Sequence, residues 1–230
     1  MLHMVVFDFD GVITDSEMGH FTTINEVLSE QGISIDWQQY CDRYLTYDDH
    51  ESFAQILRDF SREIVPEKIE ELVARKRARF EKYQQNHQVI FPGVRELLAD
   101  LQQNGIICAI CSGSPRNEIE FFLKQTDLGR YFSFIISVDD VKVGKPDPEG
   151  YRLCVFKTNR LLGGQAMIAP RQCVAIEDSI GGITAAKGAG LCCLAVTNSY
   201  SAARLQEADK VVEDLRGVDT AFLRQLLIKN

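Results

Sequence analysis

The stretch Val5-Val6-Phe7-Asp8-Phe9-Asp10-Gly11-Val12 runs as an apolar strand into two carboxylates spaced two residues apart, and then into a glycine. Residues two apart on a strand share a face, so Asp8 and Asp10 crowd like charges at the carboxyl end of a hydrophobic strand. Such a pair calls for a cation. With a metal ion between them, one carboxylate stays ionised as nucleophile or ligand while the other carries a proton, which suits acid–base chemistry on phosphate.

Outward from this strand, short apolar runs recur, each followed by turn residues and a helical pattern: Met4 to Phe7, Ile106 to Cys111, Phe134 to Val138, Cys173 to Ile176 and Leu191 to Val196. Near-continuous apolar strands alternating with helices imply a parallel sheet covered on both faces, and right-handed crossovers make it doubly wound. Helix punctuation agrees. Pro92-Gly93 opens Val94 to Gln103 and Gly105 closes it, Pro148 starts another helix, and Asp178-Ser179 cap the segment from Ile183 to Lys187. Between Asp15 and Val89 the strand signal disappears and helical spacing replaces it, as in Phe21, Ile24, Val27, Leu28 and Phe53, Ile56, Leu57, Phe60. This is read as a helical insertion, residues 16–88, in an α/β core of residues 1–15 and 89–230. Placed directly after the carboxylate strand, it is expected to act as a lid where open α/β sheets bind their ligands.

Composition narrows the function classes. The 230 residues, 45% of them hydrophobic, suffice for a sizeable core. A formal net charge of −8 without a basic tail disfavours nucleic acid, and no apolar run approaches a membrane span. Met1 leads straight into a strand with no signal-peptide order, so a cytoplasmic protein is expected, with a monomer as the default. The seven cysteines sit mostly inside apolar runs and read as reduced core residues. Cys108 and Cys111 form a C-x-x-C, but three residues apart on a strand they face opposite sides and cannot readily clasp one metal. The densest basic cluster, Arg75-Lys76-Arg77 with Arg79, lies in a helical segment and reads as a solvated face.

Further chemistry-bearing groups fall at the ends of later apolar runs. Ser112-Gly113-Ser114 follows one strand with backbone N–H groups suited to phosphate oxygens, although such a turn is also an ordinary helix entry. Gly144-Lys145-Pro146-Asp147-Pro148 sets a lysine directly ahead of two stiffening prolines, able to neutralise a phosphoryl group or simply to sit in a turn. Glu177-Asp178, before Ser179, gives a second acidic strand end, with Asp178 either a helix cap or a ligand for a divalent cation.

In this order, Asp8-Phe9-Asp10-Gly11-Val12-Ile13-Thr14-Asp15-Ser16, Ser112-Gly113-Ser114, Lys145-Pro146 and Glu177-Asp178-Ser179 resemble the four motifs of the haloacid dehalogenase-like (HAD) superfamily. Within it the chain is similar to the branch with a helical cap after the first motif, which includes CbbY, β-phosphoglucomutase and phosphoglycolate phosphatase. The likeness covers essentially the whole chain, and its first and last motifs are the specific ones. It implies a Rossmann-like core and a Mg²⁺-dependent phosphatase acting on a small phosphorylated metabolite. Asp8 would then attack phosphorus to give an aspartyl-phosphate, while Asp10 protonates the leaving oxygen and later deprotonates water. Mg²⁺ would be held by Asp8, the backbone carbonyl of Asp10 and Asp178, with Glu177 nearby or acting through water. Ser112 and the N–H of Gly113 would bind phosphoryl oxygens, and Lys145 would stabilise the nucleophile and the developing charge.

Specificity is expected from the insertion, where His20 and Lys76 match positions that contact substrate or catalytic groups in the sugar-phosphate mutases. A mutase also needs a cap arginine for the far phosphate of its bisphosphate intermediate. The comparable stretch here is Thr46-Tyr47-Asp48-Asp49-His50, which favours a phosphatase unless Arg43 or Arg75 substitutes. A dehalogenase would lack Asp10 and need no metal. A receiver-type phospho-switch shares the acidic residues, hydroxyl and lysine, but it would need an open face.

Overall fold

The computed structural model describes residues 1–45, 47–87, 89–163 and 167–228, which leaves Thr46 of the acidic stretch and the boundary residue Gln88 outside the described residues. In chain order its elements are β1 (Met4–Phe7), α1 (Glu17–Ser29), α2 (Trp37–Arg43), α3 (Asp49–Asp59), α4 (Pro66–Asn86), α5 (Val94–Gln103), β2 (Ile107–Cys111), α6 (Arg116–Thr126), β3 (Phe132–Ile136), α7 (Glu149–Leu161), β4 (Cys173–Glu177), α8 (Ile180–Gly188), β5 (Cys192–Val196), β6 (Lys210–Val212) and α9 (Thr220–Ile228). The chain divides into two compact units, one of Met1–Asp15 with Val89–Asn230 and one of Ser16–Gln88.

In the first unit all six strands are parallel, in the order β3-β2-β1-β4-β5-β6. Alternate residues of each strand feed opposite layers. Val5 and Phe7 of β1 join Leu97 and Leu101 of α5, Phe122 of α6 and Leu223 of α9. Met4 and Val6 join Tyr151 and Cys154 of α7 and Ile183 and Ala186 of α8. Both faces are therefore covered, which is why the central strands read as unbroken apolar runs. Each Val, Leu, Ile, Phe or Met side chain among them, fully buried, contributes about 1.5–3 kcal/mol. The same alternation sends Cys108 to one layer and Cys111 to the other, and all seven cysteines are free thiols.

The second unit packs four helices around Ile24, Val27 and Leu28 of α1, Tyr40 of α2, Phe53, Ile56 and Leu57 of α3, and Leu72 and Val73 of α4. Its helices start on firm local signals. Asp36 and Gln39 form a capping box on α2, Asp48 accepts the Glu51 N–H at 2.8 Å to cap α3, and Pro66 opens α4.

Two strand readings change at the sheet edges. The run expected over Phe134 to Val138 is paired over Phe132–Ile136, and Lys210–Val212 adds a strand the sequence does not announce. Edge strands are covered on fewer sides, so exposed Ser133 and Lys210 break the apolar signature that marks the central strands. The cap of α8 also differs. Ser179 alone takes that place, its hydroxyl accepting the Gly182 N–H at 3.0 Å, and the Asp178 carboxylate is left for other work.

Candidate active site

Strand order reverses at β1, which has β2 on one side and β4 on the other, and this is where open α/β sheets place ligands. The register aligns Phe7 with Ile110 and with Ile176. Glu177, the last residue of β4, and the residues just beyond these strands, Asp8, Ser112 and Asp178, consequently emerge from adjacent strand ends. β1 itself stops at Phe7, so Asp8 and Asp10 lie on the turn that follows and diverge. Asp8 stays buried against the sheet end and accepts the Phe9 N–H at 2.8 Å, whereas the Asp10 carboxylate accepts a hydrogen bond from the Ser114 hydroxyl. Gly11 follows with φ of 75°, and a Cβ there would overlap the Asp178 carboxylate, so the turn needs glycine twice over.

Lys145 connects the groups. Its Nζ lies 2.8 Å from Asp8 Oδ1 and 2.6 Å from Glu177 Oε1. Asp8, Glu177 and Asp178 can each place a carboxylate oxygen within 4.8 Å of the others, and all three are buried. One ammonium does not balance three such charges. Burial, reinforced by Glu177 and Asp10 and opposed by Lys145, pushes the Asp8 pKa up to about 7, and burial with Asp8 and Glu177 raises Asp178 well above the ordinary carboxylate range. Burial works against the Lys145 charge, yet Asp8 and Glu177 hold its pKa well above that of a free lysine. Hard oxygen donors, close together and short of positive charge, fit Mg²⁺ in both donor type and charge.

Ser112 is buried beside this cluster and its hydroxyl accepts the Ser114 N–H at 2.9 Å, while Gly113 is exposed. The fold therefore brings Asp8, Asp10, Ser112, Gly113, Lys145, Glu177 and Asp178 to one edge of the sheet. His20 and Lys76 belong to the helical unit. There Lys76 is 1% exposed, with Nζ 2.6 Å from His20 Nδ1, 2.8 Å from Asp49 Oδ1 and 4.7 Å from the centre of the Phe80 ring. Its place on a solvated basic face is thus corrected: the turn-by-turn neighbours of Lys76 on α4 are Leu72 and Phe80, both buried, and the helix carries Lys76 inward with them. Its flanking arginines face outward to acids, Arg75 to Glu30 and Glu71 and Arg79 to Glu26 and Glu30. His20 stacks on Phe80 at 4.1 Å, and burial together with Lys76 holds its pKa well below the usual value.

Four contributors escaped the reading of the sequence. Ser114 engages Asp10; Tyr151 donates to Glu177 Oε1 at 2.5 Å; Ser199 donates to Asp178 Oδ2; the Asn198 side chain donates to the Gly11 carbonyl at 2.7 Å. Ser114 lies inside a turn already singled out. Asn198 and Ser199 lie within three residues of the end of β5, so the rule that ligands gather at carboxyl strand ends could have found them.

Comparison with known proteins agrees with this geometry. A family model described as haloacid dehalogenase-like hydrolase matches residues 2–190. The chain is 28% identical over 218 residues to validoxylamine A 7'-phosphate phosphatase of Streptomyces hygroscopicus subsp. limoneus, covering 95% of this chain and 96% of that protein. It is 30% identical over 199 residues to a phosphorylated carbohydrates phosphatase of Thermotoga maritima, with 83% and 82% covered. The crystal structure of CbbY from Rhodobacter sphaeroides in complex with phosphate superposes with a TM-score of 0.83 at 26% identity, covering 97% of this chain and 100% of that one. With the doubly wound sheet and the acidic strand ends in place, the chain belongs to the haloacid dehalogenase-like hydrolase family, in its branch of phosphatases and CbbY-like proteins.

Proposed function

We propose that the chain is a Mg²⁺-dependent phosphatase that hydrolyses a small phosphorylated metabolite, of the sugar-phosphate or phosphoglycolate kind, through an aspartyl-phosphate intermediate. The observation that carries this reading is a single ammonium, Lys145, set between Asp8 and Glu177 in a buried cluster of three carboxylates. Asp8 attacks phosphorus as the ester P–O bond breaks, and Asp10, steadied by Ser114, protonates the departing oxygen. Water then attacks the phosphorus of the acyl phosphate, Asp10 takes its proton, and inorganic phosphate leaves Asp8 as a carboxylate. Ser112 and the Gly113 N–H hold phosphoryl oxygens, and Lys145 offsets charge on the nucleophile and in the transition state. The Asp8 and Asp178 carboxylates and the Asp10 carbonyl, with Glu177 nearby or acting through water, would hold Mg²⁺, which would supply the charge neutralisation needed to admit an anionic ester to an acidic site.

Hydrolysis is favoured over phosphoryl transfer within a sugar by the charges of the helical unit. Asp49 is paired with Lys76, and both candidate arginines are engaged, Arg43 with Asp59 at 3.6 Å and Arg75 with Glu30 and Glu71. No cation among these is left over for a second phosphate. We assign discrimination between esters to the helical unit, with His20 and Lys76 acting through hydrogen bonding. Phosphate release from phosphosugars, phosphoglycolate, nucleotides and p-nitrophenyl phosphate, with and without Mg²⁺, tests the reading beside a β-glucose 1-phosphate isomerisation assay. Metal-dependent phosphate release is expected to outrun isomerisation. Isomerisation outrunning release would make the chain a mutase, and failure to turn over any ester would reduce it to a switch.

A further inference from the structure

Among the described residues Glu177 is the most deeply buried carboxylate, at 0% exposure, and its two oxygens serve different partners. Oε2 accepts from the Ser179 hydroxyl at 3.2 Å and from the Asp178 N–H at 3.3 Å. Oε1 accepts from Lys145 Nζ at 2.6 Å and from the Tyr151 hydroxyl at 2.5 Å. The carboxylate lies close against the Gly182 backbone, where a Cβ would overlap it. Tyr151 is itself wholly buried on the inner face of α7, with the Lys145 ammonium 5.4 Å from its ring centre.

Lys145 has two competing anions, and the geometry of Oε1 decides the contest. A dry carboxylate oxygen with one donor would draw the ammonium strongly, at the expense of Asp8 2.8 Å away. A second donor on the same oxygen disperses its charge and weakens that pull. We propose that Tyr151 is a positioning residue: by sharing Glu177 Oε1 with Lys145 it keeps the ammonium on Asp8. The inference rests on Asp8 being the nucleophile of the proposed reaction. Nothing in the sequence marked Tyr151, since a tyrosine on the apolar face of a helix is ordinarily core; its hydroxyl acquires a partner only when the fold brings Glu177, at the end of β4, to α7.

The test is Tyr151→Phe, which keeps the ring in its layer and removes only the donor, compared with Glu177→Gln and with the double variant. Tyr151→Phe is expected to lower kcat about tenfold, the order set by hydrogen bonds to charged groups, and to change KM by less than about twofold. In the Glu177→Gln background the same change is expected to cost nothing more, because the group it acts through is gone. A second readout does not depend on turnover: the ¹⁹F spectrum of trifluoroberyllate seated on the Asp8 carboxylate. The fluorine resonances are expected to move in Tyr151→Phe as Lys145 withdraws, whereas lost packing alone would lower Tm and leave them in place. A parental kcat in Tyr151→Phe, additive losses in the double variant or unmoved resonances would each overturn the proposal. Should Tyr151→Phe fail to fold, Glu177→Gln alone must move those resonances, and its failure to do so has the same force. A parental enzyme that releases no phosphate from any ester overturns the proposed function instead, and the fluorine readout keeps the two failures apart.

Discussion

In the α/β unit three buried carboxylates, Asp8, Glu177 and Asp178, gather around one ammonium, whereas in the helical unit one buried ammonium, Lys76, meets one carboxylate, Asp49, and a histidine whose pKa is depressed, His20. The first cluster carries excess negative charge whenever its members are ionised, and its raised carboxylate pKa values record the strain. The second is balanced from within. A cluster built with a charge deficit is stable only with something added, and this is the mark of a cation site; a balanced one is complete as folded, needs no ion, and keeps its side chains in place for hydrogen bonding. The two buried lysines look alike in the sequence. Their partners, not their burial, separate their roles.

The most damaging change to the first cluster should be Asp8→Asn, which removes the nucleophile and one of the crowded charges together. Phosphatase activity is expected to fall by at least about 10³-fold. Metal-free stability is expected to rise by about 2 kcal/mol, because an amide needs neither proton nor cation, less the loss of the Lys145 partner. Opposite signs in activity and denaturant stability would mark a strained functional cluster. Hydrolysis at parental speed would remove the mechanism altogether.

Mg²⁺ withdrawal comes next. A ligand at about a hundred times its Kd stabilises a protein by about 2.7 kcal/mol, so saturating Mg²⁺ should raise Tm in the parental chain and restore activity after chelation. Asp178→Asn is expected to abolish most of that increment. A Tm insensitive to Mg²⁺ in the parental protein would mean that the charge deficit is met by protons alone.

How far these clusters could be read in advance depends on where their members lie. Asp8, Ser112 and Glu177-Asp178 stand at the ends of apolar runs and Lys145 directly ahead of two prolines, and a parallel sheet carries its strand ends to one edge. The central strands were legible for the same reason, being buried on both faces; β3 and β6, at the two edges, were misplaced or missed because Ser133 and Lys210 interrupt them. Tyr151 and Ser199 were invisible, since a lone hydroxyl on a helix or loop has no period and finds its carboxylate only across the sheet. Lys76 was misread although a signal existed. Leu72, Lys76 and Phe80 are four apart and share one face of α4, but three neighbouring arginines drew attention to the charge instead of the phase.

That face makes the balanced cluster testable. Asp49→Asn leaves Lys76 charged, 1% exposed and without its carboxylate, which is expected to cost about 3 kcal/mol. Lys76→Met should cost less, since it strands only Asp49, whose side chain is 19% exposed and open to hydration. The ranking, measured by denaturant unfolding, sharpens the contrast with Asp8→Asn, where removing a charge stabilises. A gain in stability on Asp49→Asn would show that this cluster, too, is strained.

The smallest effect is the dependence on pH, and the two clusters should respond in opposite directions. For Asp8 the folded pKa of about 7 lies above the unfolded value of 3.8, so the folded state holds more protons between them and metal-free stability falls as pH rises through that window. For His20 the folded pKa lies well below the unfolded value of 6.5, so the unfolded state holds more protons below 6.5 and stability falls as pH drops. Each slope is at most about 1.4 kcal/mol per pH unit, and other groups titrate nearby, so each is read as a difference between the parental chain and one variant. Unfolding in chelator from pH 5 to 8 should show Asp8→Asn gaining over the parental chain as pH rises. His20→Asn, whose amide oxygen can still accept from Lys76, should gain as pH falls. If both differences ran the same way, the two clusters would share one electrostatic design, and the division between a charge-deficient cation site and a balanced, hydrogen-bonding cluster would collapse.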